Sequence, residues 1–232
     1  MSPRTRWWIP ALDTPDLDQA LGLVAAVDSV PGVYGYKLGF ALGLTHGLGA
    51  VTRAIREVSS KPLVYDHQKA GTDIPDTAPL FARVMSGAGV DEVIVFPQAG
   101  PASLAGFVTA LQAEGRKVIV GGIMTHERYL ASEGGYLSDE GMTGVYRLAA
   151  DLGVRAFVVP LTKPERARAV AEALGPAGEW EFYSPGMGAQ GGKLEFFTSL
   201  KRHYVIVGRS LLQSADPGAY LARLETPGGP NP

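Results

Sequence analysis

Short apolar runs alternate with amphipathic stretches along the whole chain. Residues 7–12 form a first apolar run that ends at Asp13. Thr14-Pro15-Asp16 follows, an N-cap signal with a proline placed for the first helical turn, and Leu17, Ala20, Leu21 and Val24 then recur at helical spacing. The same two-beat pattern repeats. Strands are predicted over 32–38, 62–66, 92–96, 117–120, 155–159, 180–183 and 204–207, and helices over 46–58, 79–86, 104–113, 141–152, 164–174 and 217–224. Continuous Val/Ile runs are the mark of strands covered on both faces, as in a parallel sheet. Eight such strands, most followed by a helix, in a chain close to the usual ~250 residues, predict an α/β fold of the (β/α)8 TIM-barrel type. One domain is expected over residues 1–225, with a disordered tail over 226–232. A doubly wound open sheet is the alternative, but no G-x-G-x-x-G follows the first strand.

Composition narrows the function classes. The chain has 232 residues and a net charge of −2, so nothing electrostatic favours nucleic acid. It has no cysteine, which excludes disulfides and thiolate metal sites and fits a reducing compartment. The first residues lack a signal-peptide apolar region, and no run approaches the ~20 apolar residues of a membrane span. A cytoplasmic protein without a membrane partner is expected.

Barrel chemistry gathers at the carboxyl ends of the strands. There the sequence places Asp13, Lys37, the stretch 65–77, Thr125-His126, Ser184-Pro185-Gly186 and Gly208-Arg209-Ser210. In 65–77, Asp66, Lys69 and Asp73 follow a strand where a plain turn would need only Gly, Asn or Ser. Alternating charges so close are costly to assemble unless something binds among them. Any one of Lys37, Asp66, Lys69 and Asp73 is most simply a rim salt bridge. As a set in one mouth, each lysine would stay protonated and each carboxylate ionised, which suits a reaction that forms a carbanion and then protonates it. Residues 185–192 contain four glycines and Gln190, able to turn backbone N–H groups and an amide toward an anion. Gly208-Arg209 opens a short helix, so this end of the mouth is expected to bind phosphate. His46, His67, His126 and His203 have no metal-ligand spacing, and no G-x-S-x-G, Walker A or H-E-x-x-H is present.

Together these residues resemble the orotidine 5'-phosphate decarboxylase family. The matching pieces are Ala11-Leu12-Asp13, Tyr36-Lys37-Leu38-Gly39, the D-x-K-x-x-D-I-x-x-T-like stretch 66–77, Met124-Thr125-His126, and the segments 184–192 and 207–210. The resemblance implies cofactor-free decarboxylation of orotidine 5'-monophosphate to uridine 5'-monophosphate in de novo pyrimidine synthesis. Asp66 would lie against the substrate carboxylate, and Lys69 would stabilise and protonate the C6 carbanion. Lys37 and Asp73 would complete the charge chain, with Asp13 on the ribose and Thr125 on the pyrimidine. Pro185, Gly186, Gln190, Gly208 and Arg209 would hold the phosphate. Asp73, Ile74 and Thr77 would reach into the neighbouring subunit of a homodimer. The signature departs from the family at one point: two residues, not one, separate Asp66 from Lys69, and three, not two, separate Lys69 from Asp73. Because alternate strand residues share a face, a bulge or turn after Asp66 is expected, eased by Gly71. Two other readings remain. A magnesium-dependent sugar-phosphate decarboxylase or aldolase-like barrel shares the Asp/Lys motif but needs an added acid where this chain has Gly39-Phe40. A phosphate-binding barrel without catalysis would tolerate the altered spacing.

Overall fold

The computed structural model describes residues 6–66, 72–175, 180–187, 192, 194–197 and 202–224. β1 (Arg6–Leu12) leads to α1 (Leu17–Val27), and β2 (Tyr36–Gly39) to α2 (Phe40–His46) and α3 (Leu48–Arg56). β3 (Leu63–Asp66) leads through a 3-10 turn at Pro75–Thr77 to α4 (Ala78–Gly87), and β4 (Glu92–Val95) to α5 (Pro101–Ala113). β5 (Lys117–Gly121) precedes α6 (Asp139–Asp151), and β6 (Ala156–Val158) precedes α7 (Pro164–Leu174). β7 (Glu181–Ser184) and β8 (His203–Val207) complete the strands, followed by α8 (Arg209–Leu212) and α9 (Pro217–Leu224). Each strand pairs in parallel with the next, and β8 closes on β1, making the expected closed eight-stranded barrel.

The strands read as continuous apolar runs because both faces are buried. Ile9, Val64, Ile94, Ile119, Val158 and Ile206 fill the barrel interior. Their sequence neighbours, such as Trp8, Leu63 and Val93, pack outward under the helices. The amino-terminal end of the barrel is closed by a polar plug. Glu92, 3% exposed, accepts from the hydroxyls of Tyr34 and Tyr183 and lies 3.4 Å from Lys117 Nζ. That ammonium is 2.5 Å from Glu181 and sits over the rings of Tyr34, Tyr183 and Tyr204. At the opposite end the described residues line an open cavity.

Several elements differ from their sequence-based bounds. Where one helix was expected, over 46–58, there are two, α2 over 40–46, which the expectation did not cover, and α3 over 48–56, with Gly47 at φ 80 breaking the chain between them. The first of these escaped the apolar pattern since Phe40 and Leu44 face outward. The second strand begins at Tyr36 rather than at 32, since Val33 makes only a single bridge to Trp8 and Tyr34 turns to Glu92. Asp16 is the N-cap of α1, accepting from Gln19 N at 3.0 Å, so Pro15 stands before the cap rather than in the first turn. The expected tail over 226–232 lies outside the described residues. Among the described residues, no helix is long and apolar enough to cross a membrane.

Candidate active site

The two-residue period of the strands decides which side chains enter the open mouth. Ile9 and Val64 face the barrel interior. Two steps beyond Ala11 comes Asp13, and two beyond Val64 comes Asp66. Lys37 lies between Tyr36 and Leu38, both of which pack outward. The register puts Lys37 beside Ala11 on one strand and Val64 on the other. Its Nζ lies 2.9 Å from Asp13 Oδ1 and 3.2 Å from Asp66 Oδ2. Lys37 and Asp66 are buried. Burial by itself would lower the Lys37 pKa, but the charges of Asp66 and Asp13 and their hydrogen bonds outweigh it and hold the ammonium above its ordinary value. Gly39 makes this arrangement possible: a Cβ there would lie 2.7 Å from Asp13 Oδ1.

These three charges form one side of an open cavity of ≈ 170 Å³. Ile94, Phe96, Ile123 and Val158 supply an apolar wall, and Thr125 stands at its edge. The Thr162 hydroxyl donates to the Thr125 carbonyl oxygen at 2.9 Å. Pro185, Gly186, Gly208 and the exposed Arg209 complete the lining, with Gly208 next to Asp13: a Cβ on it would lie 3.8 Å from Asp13 Oδ2. Gly186 has φ 105, a backbone conformation that favours glycine, and its carbonyl accepts from Gly192 N at 3.0 Å. The lining thus joins a charged part, with Lys37 and Asp66 buried and Asp13 exposed, an apolar part, and a part that carries an exposed guanidinium beside glycine backbone. A flat apolar ring bearing an anionic tail fits this sequence of environments.

Most of the expected residues meet here: Asp13, Lys37, Asp66, Thr125, Pro185, Gly186, Gly208 and Arg209 all line the cavity. Asp73, Ile74 and Thr77 do not. Asp73 and Ile74 are exposed and Thr77 is half-buried; the Ser103 hydroxyl, in the first turn of α5, donates to the Asp73 carbonyl oxygen at 2.6 Å and the Thr77 hydroxyl to that of Ile74 at 2.9 Å. Lys69, Gln190 and the turn expected after Asp66 lie outside the described residues. Sequence reasoning missed that Asp13 is a direct ion-pair partner of Lys37, because that contact depends on the β1–β2 register. It also missed the apolar wall, whose members look like any other strand residues.

The donor set does not suit a divalent cation. The space between the Asp13 and Asp66 carboxylates holds the Lys37 ammonium, and residue 39, beside them, cannot carry a side chain without striking Asp13. Among the described residues, no group of three or more His, Asp or Glu could hold a metal ion.

The sequence model of the Orotidine 5'-phosphate decarboxylase / HUMPS family matches residues 8–224. The chain belongs to this family. It is similar to the orotidine 5'-phosphate decarboxylase of Methanosarcina barkeri, at 33% identity covering 90% of this chain and 88% of that one. The Methanocaldococcus jannaschii protein of the same name is 32% identical over 89% of this chain and 91% of its own. A crystal structure of the M. jannaschii orotidine 5'-monophosphate decarboxylase complexed with inhibitor BMP superposes with a TM-score of 0.80, at 30% identity, covering 93% and 95% of the two chains.

Proposed function

We propose that this chain is a cofactor-free carboxy-lyase converting orotidine 5'-monophosphate to uridine 5'-monophosphate in de novo pyrimidine synthesis. The observation that carries this reading is the buried Lys37 ammonium held between Asp13 and Asp66, in a cavity that has an apolar wall and that Arg209 also lines. In this reading Arg209, Gly208, Gly186 and Pro185 hold the phosphate, and the Gln190 amide donates to it. The ribose lies over Asp13 and Lys37, and the pyrimidine meets Thr125 and the apolar wall. Lys37, kept charged by two acids, fixes Asp66 beside the substrate carboxylate. Two negative groups pressed together raise the energy of bound substrate, and that repulsion vanishes as carbon dioxide leaves. The C–C electron pair remains on C6. The Lys69 ammonium stabilises it and donates its proton to form the new C–H bond, then regains a proton from solvent.

The domain is taken to run over residues 1–225 and to act in the cytoplasm as a homodimer. Phe40 and Leu44 on α2, Ile74, and Leu80 and Val84 on α4 are each more than half exposed, and they belong to consecutive units of the barrel. An apolar flank of this kind suits a second copy, which would carry Asp73, Ile74 and Thr77 toward the partner's cavity.

The test is the ultraviolet absorbance of orotidine monophosphate mixed with purified protein, with and without a chelator. Consumption in both conditions supports the proposal. Consumption that stops in chelator would favour the metal-dependent chemistry, and binding of uridine monophosphate without any consumption would leave a ligand-binding barrel.

A further inference from the structure

We propose that Tyr146 and Thr162, neither of which lines the cavity, are positioning residues for the wall that receives the base. This inference rests on the nucleotide reading above. Beyond the pair Gly121↔Val158 the β5–β6 ladder ends, so the next N–H groups of the β5 chain have no strand partner. The Tyr146 hydroxyl takes over. It accepts from Gly122 N at 3.0 Å and from Ile123 N at 3.1 Å, and donates to the Val158 carbonyl oxygen at 2.8 Å. One donor and two acceptor sites are the full capacity of a phenol, and all three are used. Tyr146 is 0% exposed and packs outside the barrel among the residues under the helices. Yet Ile123 and Val158, whose backbone it grips, line the cavity, as do Met124 and Thr125, which follow directly.

Two glycines let the strand end fit between rings. A Cβ on Gly121 would lie 2.4 Å from Phe96 Cζ on the barrel side, and one on Gly122 would lie 2.9 Å from Tyr146 Cε2 on the helix side. The chain is held on one face by Phe96, which lines the cavity, and on the other by Tyr146. Thr162 provides a second tie two residues further along, through its hydroxyl to the Thr125 carbonyl oxygen. The base wall is therefore prepared from behind, before any ligand arrives, and its position is set by two hydroxyl groups that never touch substrate.

The experiment compares Tyr146→Phe and Thr162→Val with the unaltered protein, using uridine monophosphate and ribose 5-phosphate as probes. Both probes carry the phosphate, but only the first carries a base. Tyr146→Phe is expected to weaken uridine monophosphate binding about tenfold, since two N–H groups and a carbonyl lose their buried partner, while ribose 5-phosphate binding changes less than about twofold. Thr162→Val should act in the same direction by roughly threefold, because its hydrogen bond is single and half-buried. In turnover, kcat/KM for orotidine monophosphate should fall in parallel with the uridine monophosphate affinity. If Tyr146→Phe does not fold, Thr162→Val alone decides. Equal losses for the two probes, or no loss for either, would overturn the inference. An unaltered protein that binds uridine monophosphate no better than ribose 5-phosphate would overturn the functional reading as well.

Discussion

Replacing His203 by phenylalanine should make the fold resist acid. His203 opens β8 on the outward face, is 1% exposed, and stacks on Phe197 with ring centroids 5.4 Å apart. Neither ring nitrogen has a hydrogen-bond partner among the described residues. Burial, reinforced by the positive charge of Arg6 across the strand pair, pushes its pKa down from 6.5 to about 3. The unfolded chain binds this proton as pH falls through 6.5, whereas the native state stays neutral until about 3. Stability is therefore intact above 6.5 and drains away between these two values. At ~1.4 kcal/mol per unit, the loss between pH 7.5 and pH 5 amounts to about 2 kcal/mol. Phenylalanine keeps the stack and removes the titration. Urea denaturation of both proteins at pH 7.5 and pH 5 gives the four stabilities needed, and carboxylate contributions shared by both proteins cancel in the comparison. The wild type should lose about 2 kcal/mol more than the variant on acidification. Equal losses would show that His203 finds a partner or a path to water, and the reasoning would fail.

The candidate site makes four further predictions. Lys37→Met leaves Asp13 and Asp66 facing each other without a cation and should cut kcat by about 100-fold or more with the fold intact by circular dichroism; near-normal kcat would remove Lys37 from the machinery. Gly39→Ala should push the Asp13 carboxylate off Lys37 and lower kcat/KM roughly tenfold, and unchanged kinetics would mean the 2.7 Å approach is relieved elsewhere. Arg209→Ala should weaken uridine monophosphate binding by roughly tenfold to a hundredfold while leaving uridine affinity alone, and titration calorimetry with both ligands would detect the opposite result. Lys69→Ala should abolish turnover of orotidine monophosphate while the product still binds; retained kcat would mean that another group delivers the proton.

The barrel was legible because its strands are buried on both sides, so each appears as an unbroken apolar run of a few residues. α2 was not legible, since Phe40 and Leu44 point outward and leave no buried stripe to count. The candidate residues were legible by chemistry and by place. Asp13 follows an apolar strand, Asp66 ends one and Lys37 lies near the end of the run expected over 32–38, where a barrel collects its polar groups. The part of the lining around Gly186, Gly208 and Arg209 was legible in the clustered glycines and in Gly208-Arg209. Tyr146 carried no signal, because a tyrosine at helical spacing in an amphipathic helix looks like ordinary packing until its hydroxyl is seen to hold three backbone groups.

By itself the sequence determined the number and order of the units, and hence that strand-end side chains would share one mouth. Local patterning suffices for that, since which residues avoid water depends on near neighbours along the chain. Only the tertiary structure decided which of those side chains touch. The pairing of Ala11 with Lys37 and of Gly39 with Asp66 brings one ammonium within 3.2 Å of two carboxylates, whereas the exposed Asp73 lies beside the first turn of α5 and outside the cavity lining. Charge interactions decay over a few ångströms, and strand register, which sets those few ångströms, is a property of two segments meeting that neither segment contains alone.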